Sequence, residues 1–133
     1  DLIDGRATIR DADLERALAV REALRGLARG ERRAIGRLND AARGAVAGVA
    51  FSGSGPRFIV PASAGLDGAL GRLLAIVATA MIDGSWTRLK ICPGDDCGWA
   101  FYDHSRNQTG RWCSMSVCGG RAKSRAHYRR RQH

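Results

Sequence analysis

No cysteine precedes position 92, no apolar run approaches the about 20 residues a membrane-spanning helix needs, and nothing acidic follows Arg121. Helical insertion into a membrane is therefore not expected. Lysine is almost missing, since only Lys90 and Lys123 stand among 22 basic side chains. That bias fits a GC-rich coding composition, and arginine also suits bidentate contacts to phosphate and guanine. The chain has no initiator methionine and no charged-then-apolar leader, so it is expected to be the ordered part of a longer protein. Internal repeats and low-complexity tracts are also missing, apart from a basic tail. At 133 residues with 44% hydrophobic content, one modest domain and a small metal module are expected.

The four cysteines are what is present. They form two pairs, Cys92/Cys97 and Cys113/Cys118, each with four intervening residues, and 15 residues separate the inner members. Two short pairs joined by a loop suit a tetrahedral ion, because each turn supplies two thiolates and the loop brings the turns together. One structural zinc ion is the expected cofactor, held by Cys92, Cys97, Cys113 and Cys118. Two disulfides are the competing reading. They are disfavoured because about ninety cysteine-free residues come first and look able to fold alone, unlike a disulfide scaffold. The reducing cytoplasm is the implied compartment.

The formal net charge is +9, and it is uneven. Residues 1–87 carry 12 basic and 10 acidic side chains, whereas 88–133 carry 10 and 3. The C-terminal third is thus the part expected to face a polyanion.

Taken in order, residues 11–29 predict an amphipathic helix with Leu14, Ala17, Leu18, Leu24, Leu27 and Ala28 on its core stripe. Asp11 or Asp13 would cap its start, and Gly30 would end it in the left-handed conformation. Residues 31–45 predict a second helix folding back on the first, weakened by Gly36 and Gly44 and open to a break at Asn39-Asp40. VAGVAF (46–51) and RFIVP (57–61) flank a Gly-Ser-Gly tip and read as a hairpin; the tip lacks the Lys-Ser/Thr of a phosphate loop. Residues 67–82 are apolar on most faces, with Leu70, Leu73, Leu74, Ile76, Val77, Met81 and Ile82, and predict a core helix buried from several directions. Asp83-Gly84 ends it.

In the metal module, Pro93 to Asp96 form a tight turn whose amides can point at the sulfurs. Residues 99–103 alternate as a strand, with Trp99 and Phe101 expected in the core and Tyr102 left open between base stacking and packing. Ser114 can cap a helix that carries Cys118 in its first turn, although Gly119 and Gly120 predict that the helix firms only from about Arg121. On it Arg121, Arg125 and Arg129 form one stripe, with Lys123 and Arg130 on a different face. These five are the candidate nucleic-acid contacts, because like charges at helical spacing repel and a phosphate backbone would relieve them. His104, His127 and His133 are surface residues on this reading, and no nucleophile motif accompanies them. A closed four-cysteine site leaves zinc no position for water, so no enzymatic activity is expected.

The first cysteine pair, Trp99 to Asp103 with Ser105-Arg106-Asn107, and Arg111-Trp112-Cys113-Ser114-Met115 through Cys118-Gly119-Gly120-Arg121-Ala122-Lys123 resemble the CGNR zinc finger family. In that bacterial family the finger follows an α/β domain called ABATE, and its members are regarded as stress-induced transcription regulators or RNA binders. The resemblance implies zinc at the four cysteines. The family name expects Asn where this chain has Gly120, so no role of that Asn carries over. The resemblance also implies that the N-terminal domain begins further upstream.

Together these readings give an α+β fold: a helix-rich ABATE-like domain with a β-hairpin at 1–87, incomplete at its N-terminus, then a treble-clef-like zinc finger at 88–133 ending in a basic helix. The expected function is zinc-dependent nucleic-acid binding by a transcription regulator, with DNA ahead of RNA. The alternative is a protein-interaction or ligand-sensing module with a purely structural finger. A small-molecule effector and self-association stay open as further partners.

Overall fold

A computed structural model of the protein describes residues 10–43, 45–46, 48–53, 55–60 and 65–132. Gly44, Ser54, Pro61 and His133, each part of an expectation above, lie outside the described residues. The chain divides into two compact units, Asp1–Trp86 and Thr87–His133. Among the described residues the fold is α+β, with four α-helices and two antiparallel two-stranded sheets.

The first unit begins with α1 (Asp11–Ala28). Asp13 caps its start from inside the helix: the N-cap is Arg10, whose backbone N–H donates to the Asp13 carboxylate at 3.2 Å. The Arg10 guanidinium donates to the same carboxylate and holds its pKa below the ordinary 3.8. Gly30, with φ +78, closes the helix: Glu31 N–H donates to Gly26 C=O and Gly30 N–H to Leu27 C=O, both at 2.9 Å. That pair of bonds satisfies carbonyls a helix end otherwise leaves open.

Helix α2 (Arg33–Ala42) follows after a four-residue link and packs back on α1. The contact runs through small residues. A Cβ added to Gly26 would lie 3.1 Å from the Ala34 Cβ, so the backbones approach closely. Here the core differs from the expected stripe. Val20, Ala23 and Gly26 are the buried positions of α1, and Leu14 and Leu18 are exposed. The reason is reach: α2 has 10 residues against 18 in α1 and covers only its second half. Asn39 and Asp40 do not break α2, because both lie on its exposed face.

Strands β1 (Gly48–Ser52) and β2 (Gly55–Ile59) pair from Gly48↔Ile59 to Ser52↔Gly55. The turn is thus tighter than expected, and Pro56 falls inside β2 opposite Phe51. Proline is tolerated there because each strand of a two-stranded sheet is an edge. Ser52 Oγ donates to Gly55 C=O at 3.0 Å, which fastens the tip.

Helix α3 (Leu66–Ile82) is buried along one side rather than on most faces: Leu70, Leu74 and Val77 are buried, whereas Ile76, Met81 and Ile82 are exposed. Burying each such Leu or Val contributes about 1.5–3 kcal/mol. Its first turns carry Gly71 for a specific reason, since a Cβ there would sit 2.4 Å from the Ala45 carbonyl and 2.6 Å from Val60 Cγ1. The helix therefore presses against the chain at the two ends of the hairpin. An Arg16–Asp67 ion pair at 2.7 Å ties α1 to the start of α3. Gly84, with φ +81, follows the Asp83 C-cap and ends α3.

The second unit opens with the end of a 3-10 turn (Ser85–Arg88), then β3 (Leu89–Ile91) and β4 (Ala100–Tyr102), registered Leu89↔Tyr102 to Ile91↔Ala100. A wide π turn (Met115–Gly119) leads without interruption into α4 (Gly120–Arg131). Among the described residues no helix is long and apolar enough to cross a membrane.

Candidate metal centre

The β3–β4 hairpin carries the first cysteine pair at its tip. Cys92 N–H donates to Trp99 C=O at 2.8 Å, one step beyond the last strand pair, and Cys97 N–H donates to Gly94 C=O at 3.0 Å. The tip is therefore a hydrogen-bonded knuckle. Gly94 sits directly under the sulfurs: a Cβ there would lie 3.4 Å from Cys118 Sγ and 3.6 Å from Cys92 Sγ. The second pair is placed by the start of the helical run. Ser114 is its N-cap, with its Oγ accepting from Val117 N–H at 3.3 Å, and Cys118 is buried in the first turn.

The four Sγ atoms lie within 4.8 Å of one another. Cys97 and Cys113 sulfurs are 3.6 Å apart, and Cys113 and Cys118 sulfurs 3.7 Å. A tetrahedron of zinc–sulfur bonds of about 2.3 Å requires sulfur separations of about 3.8 Å. The donor set fits one zinc ion. Cys92 is 2% exposed and Cys118 also buried, while Cys97 and Cys113 are half-buried.

Their acidities show why a cation belongs there. Burial works against the Cys92 thiolate, but backbone donation from Cys113 and Gly94 and donation from neighbouring thiols bring its pKa down to about 7. Burial and then the neighbouring cysteines push Cys113 up to about 12, and burial raises Cys118 as well. One thiolate so stabilised discourages the next, and a divalent ion removes that conflict by stabilising all four.

Beside the knuckle lies a polar core on which the sequence reading placed no role. Asp103 is 4% exposed, and its carboxylate accepts from Lys90 Nζ at 2.6 Å, Gly110 N–H at 2.8 Å and Ser105 N–H at 2.9 Å. Lys90 also donates to the carbonyls of Gln108 and Gly110, and Arg88 Nη1 donates to the carbonyls of Asp103 and Ser105, both at 3.0 Å. Gln108 takes the left-handed conformation (φ 54), rare for a non-glycine residue, where its carbonyl meets Lys90. The Lys90 ammonium and then the Ser105 donors hold the Asp103 pKa far below the ordinary 3.8. The available signal was an isolated lysine in an apolar strand facing an aspartate across a short loop.

The aromatics are redistributed accordingly. Trp99, expected in the core, is 68% exposed because β4 begins only at Ala100 and the knuckle carries Trp99 outward. Phe101 is half-buried. Tyr102 is exposed and meets the His104 ring at 4.9 Å, and Arg111 lies over Trp112 at 5.2 Å. The regular α-helix begins at Gly120, one residue before the expected Arg121, and Gly119 lies in the π turn ahead of it. A Cβ on Gly119 would come 2.9 Å from Met115 Sδ and 3.4 Å from Trp112 Cδ1, so glycine lets these side chains close over the turn.

Arg121, Lys123, Arg125, Arg129 and Arg130 are exposed along α4, as is His127. Ala122 and Ala126 form the half-buried side between the two basic stripes. Arg125 reaches Asp95 of the knuckle at 3.4 Å, linking the helix to the first cysteine pair.

The fold and the site define a two-part protein in which a helical unit precedes a four-cysteine zinc finger. Residues 88–131 match the CGNR zinc finger, and residues 1–84 match ABATE, described as "Putative stress-induced transcription regulator". The chain belongs to the ABATE family and carries a CGNR zinc finger. A search of curated proteins finds no match.

Proposed function

We propose that the protein is a zinc-dependent transcription regulator that binds nucleic acid, DNA ahead of RNA, through α4. The observation that carries this reading is a helix with six exposed cations, Arg121, Lys123, Arg125, Arg129 and Arg130 with Arg131 behind them, and no acidic residue of its own, anchored at its start by the metal centre. Each cation that neutralises a phosphate releases a counterion, so affinity should fall steeply with salt. The two family matches support a regulatory role. A role in binding rather than catalysis is favoured by the four-sulfur shell, which fills a tetrahedron and keeps no place for water. Four thiolates also favour a reducing compartment such as the cytoplasm.

The test is a gel-shift titration at several salt concentrations. Replacing Arg121, Lys123, Arg125 and Arg129 by Gln should lower affinity and reduce the log–log salt slope by about three to four units. Unchanged affinity and slope would remove α4 as the contact surface. A second reading, a partner-docking module with a structural finger, is favoured by the open hairpin face, where Phe51 is 84% exposed beside exposed Val49. Protein capture that depends on Phe51, without nucleic-acid binding, would select it.

A further inference from the structure

Tyr128 stands open on the surface of α4. Its side chain is 71% exposed, and among the described residues it makes no hydrogen bond and no ring contact. A single exposed aromatic is ordinary by itself; what sets Tyr128 apart is that its open ring stands among cations on a helix with no acidic residue. Its neighbours indicate its ligand. Arg121 lies two turns before it, Ser124 and Arg125 one turn before it, and Arg131 one turn after it, which places all of them on one face of α4. Each of these positions is exposed, and the half-buried Ala122 and Ala126 lie elsewhere on the helix. Ser124, one turn before Tyr128 on the side toward which a helical side chain leans, is small and exposed.

We infer that Tyr128 stacks on an unstacked nucleobase while Arg121, Arg125 and Arg131 hold the phosphates on either side of it. This rests on the reading of α4 as the nucleic-acid surface and adds the class of strand it takes. Base faces are covered by their neighbours in a duplex, which offers only edges in its grooves. An open ring set among cations is the arrangement that holds single strands, where a ring face meets a base face and the cations track the backbone. The preferred ligand is accordingly a single-stranded or locally opened segment.

The experiment compares the zinc-loaded chain and its Tyr128→Ala and Tyr128→Phe variants. Each is titrated with a fluorescently labelled oligothymidylate, an abasic oligomer of equal length and charge, and a duplex containing the same strand. The wild type should bind the oligothymidylate about tenfold or more tightly than the abasic strand, and the single strand more tightly than the duplex. In Tyr128→Ala the base-dependent preference should disappear with the salt slope unchanged, and Tyr128→Phe should retain it. Circular dichroism of the variants should match the wild type, since the position is exposed. Equal wild-type affinity for base-bearing and abasic strands, tighter binding to the duplex, or an unaltered preference in Tyr128→Ala overturns the assignment while leaving α4 as a phosphate-binding surface. No binding of any probe at low salt overturns that surface as well.

Discussion

Asp103 carries more of the finger's internal order than its size suggests. It is buried, and its carboxylate gathers one ammonium and two backbone amides, so removing its charge leaves Lys90 without its anion. Asp103→Asn should lower the melting temperature of the finger at pH 7. Because the folded pKa is depressed, the charge contributes fully above 3.8 and is lost as pH falls below it. The gap between wild type and variant should therefore narrow in melts at progressively lower pH, and a constant gap would show that the charge is not what matters. Gly110 tests the same centre by sterics. A Cβ there would lie 2.5 Å from Asp103 Oδ1, closer than atoms can sit, so Gly110→Ala should cost about 1–3 kcal/mol in denaturant unfolding.

At the scale of elements, α4 depends on how its entrance is built. Ser114 supplies the cap on the π turn that precedes it, and Ser114→Ala should cost about 0.5–2 kcal/mol. Gly120 is different. A Cβ at that position would meet only the Met115 carbonyl, at an ordinary 3.7 Å, so Gly120→Ala should stabilise the helix by about 1 kcal/mol. A thermal melt of the zinc-loaded variants checks both signs, and a loss of stability in Gly120→Ala would contradict the open space seen beside it. That space also bears on the family's asparagine, because the position has room for a side chain even though this chain has none there. In the first unit the contrast between Gly26 and Leu14 makes the same point: helices meet where small residues let backbones approach, and larger apolar residues beyond the partner's reach stay exposed.

For the whole molecule, the two units should differ in what holds them. Residues 10–86 have an apolar core drawn from α1, α2 and α3, with Val20, Ala23, Ala34, Leu70, Leu74 and Val77 buried. Among the described residues of the finger only two cysteines, Asp103 and Gly119 are buried, so its folding should lean on zinc, whose binding to such sites releases about 10–16 kcal/mol. A strong chelator should therefore unfold residues 87–132 and leave the first unit helical. Hydrogen exchange would show this as lost protection in β3, β4 and α4 with α1 and α3 unchanged, and equal loss in both units would contradict it.

Much of this was readable from residue order. Cysteine spacing pointed to the four sulfurs that the fold brings within 4.8 Å of one another, a set that can hold one zinc ion, and local turn chemistry placed Gly30 and Ser114 correctly. The boundaries of α1 and α3 followed within a residue from apolar periodicity, which is a local property, whereas α2 is shorter at both ends than the expected 31–45. Burial was not local. Only packing decided that Leu14, Ile76 and Trp99 are exposed, since each depends on where a neighbouring element stops. The Asp103 centre was likewise set by tertiary structure: Arg88, Lys90, Ser105 and Gly110 are scattered over more than twenty positions, and a hydrogen-bond network among them exists only once the hairpin has closed around the carboxylate.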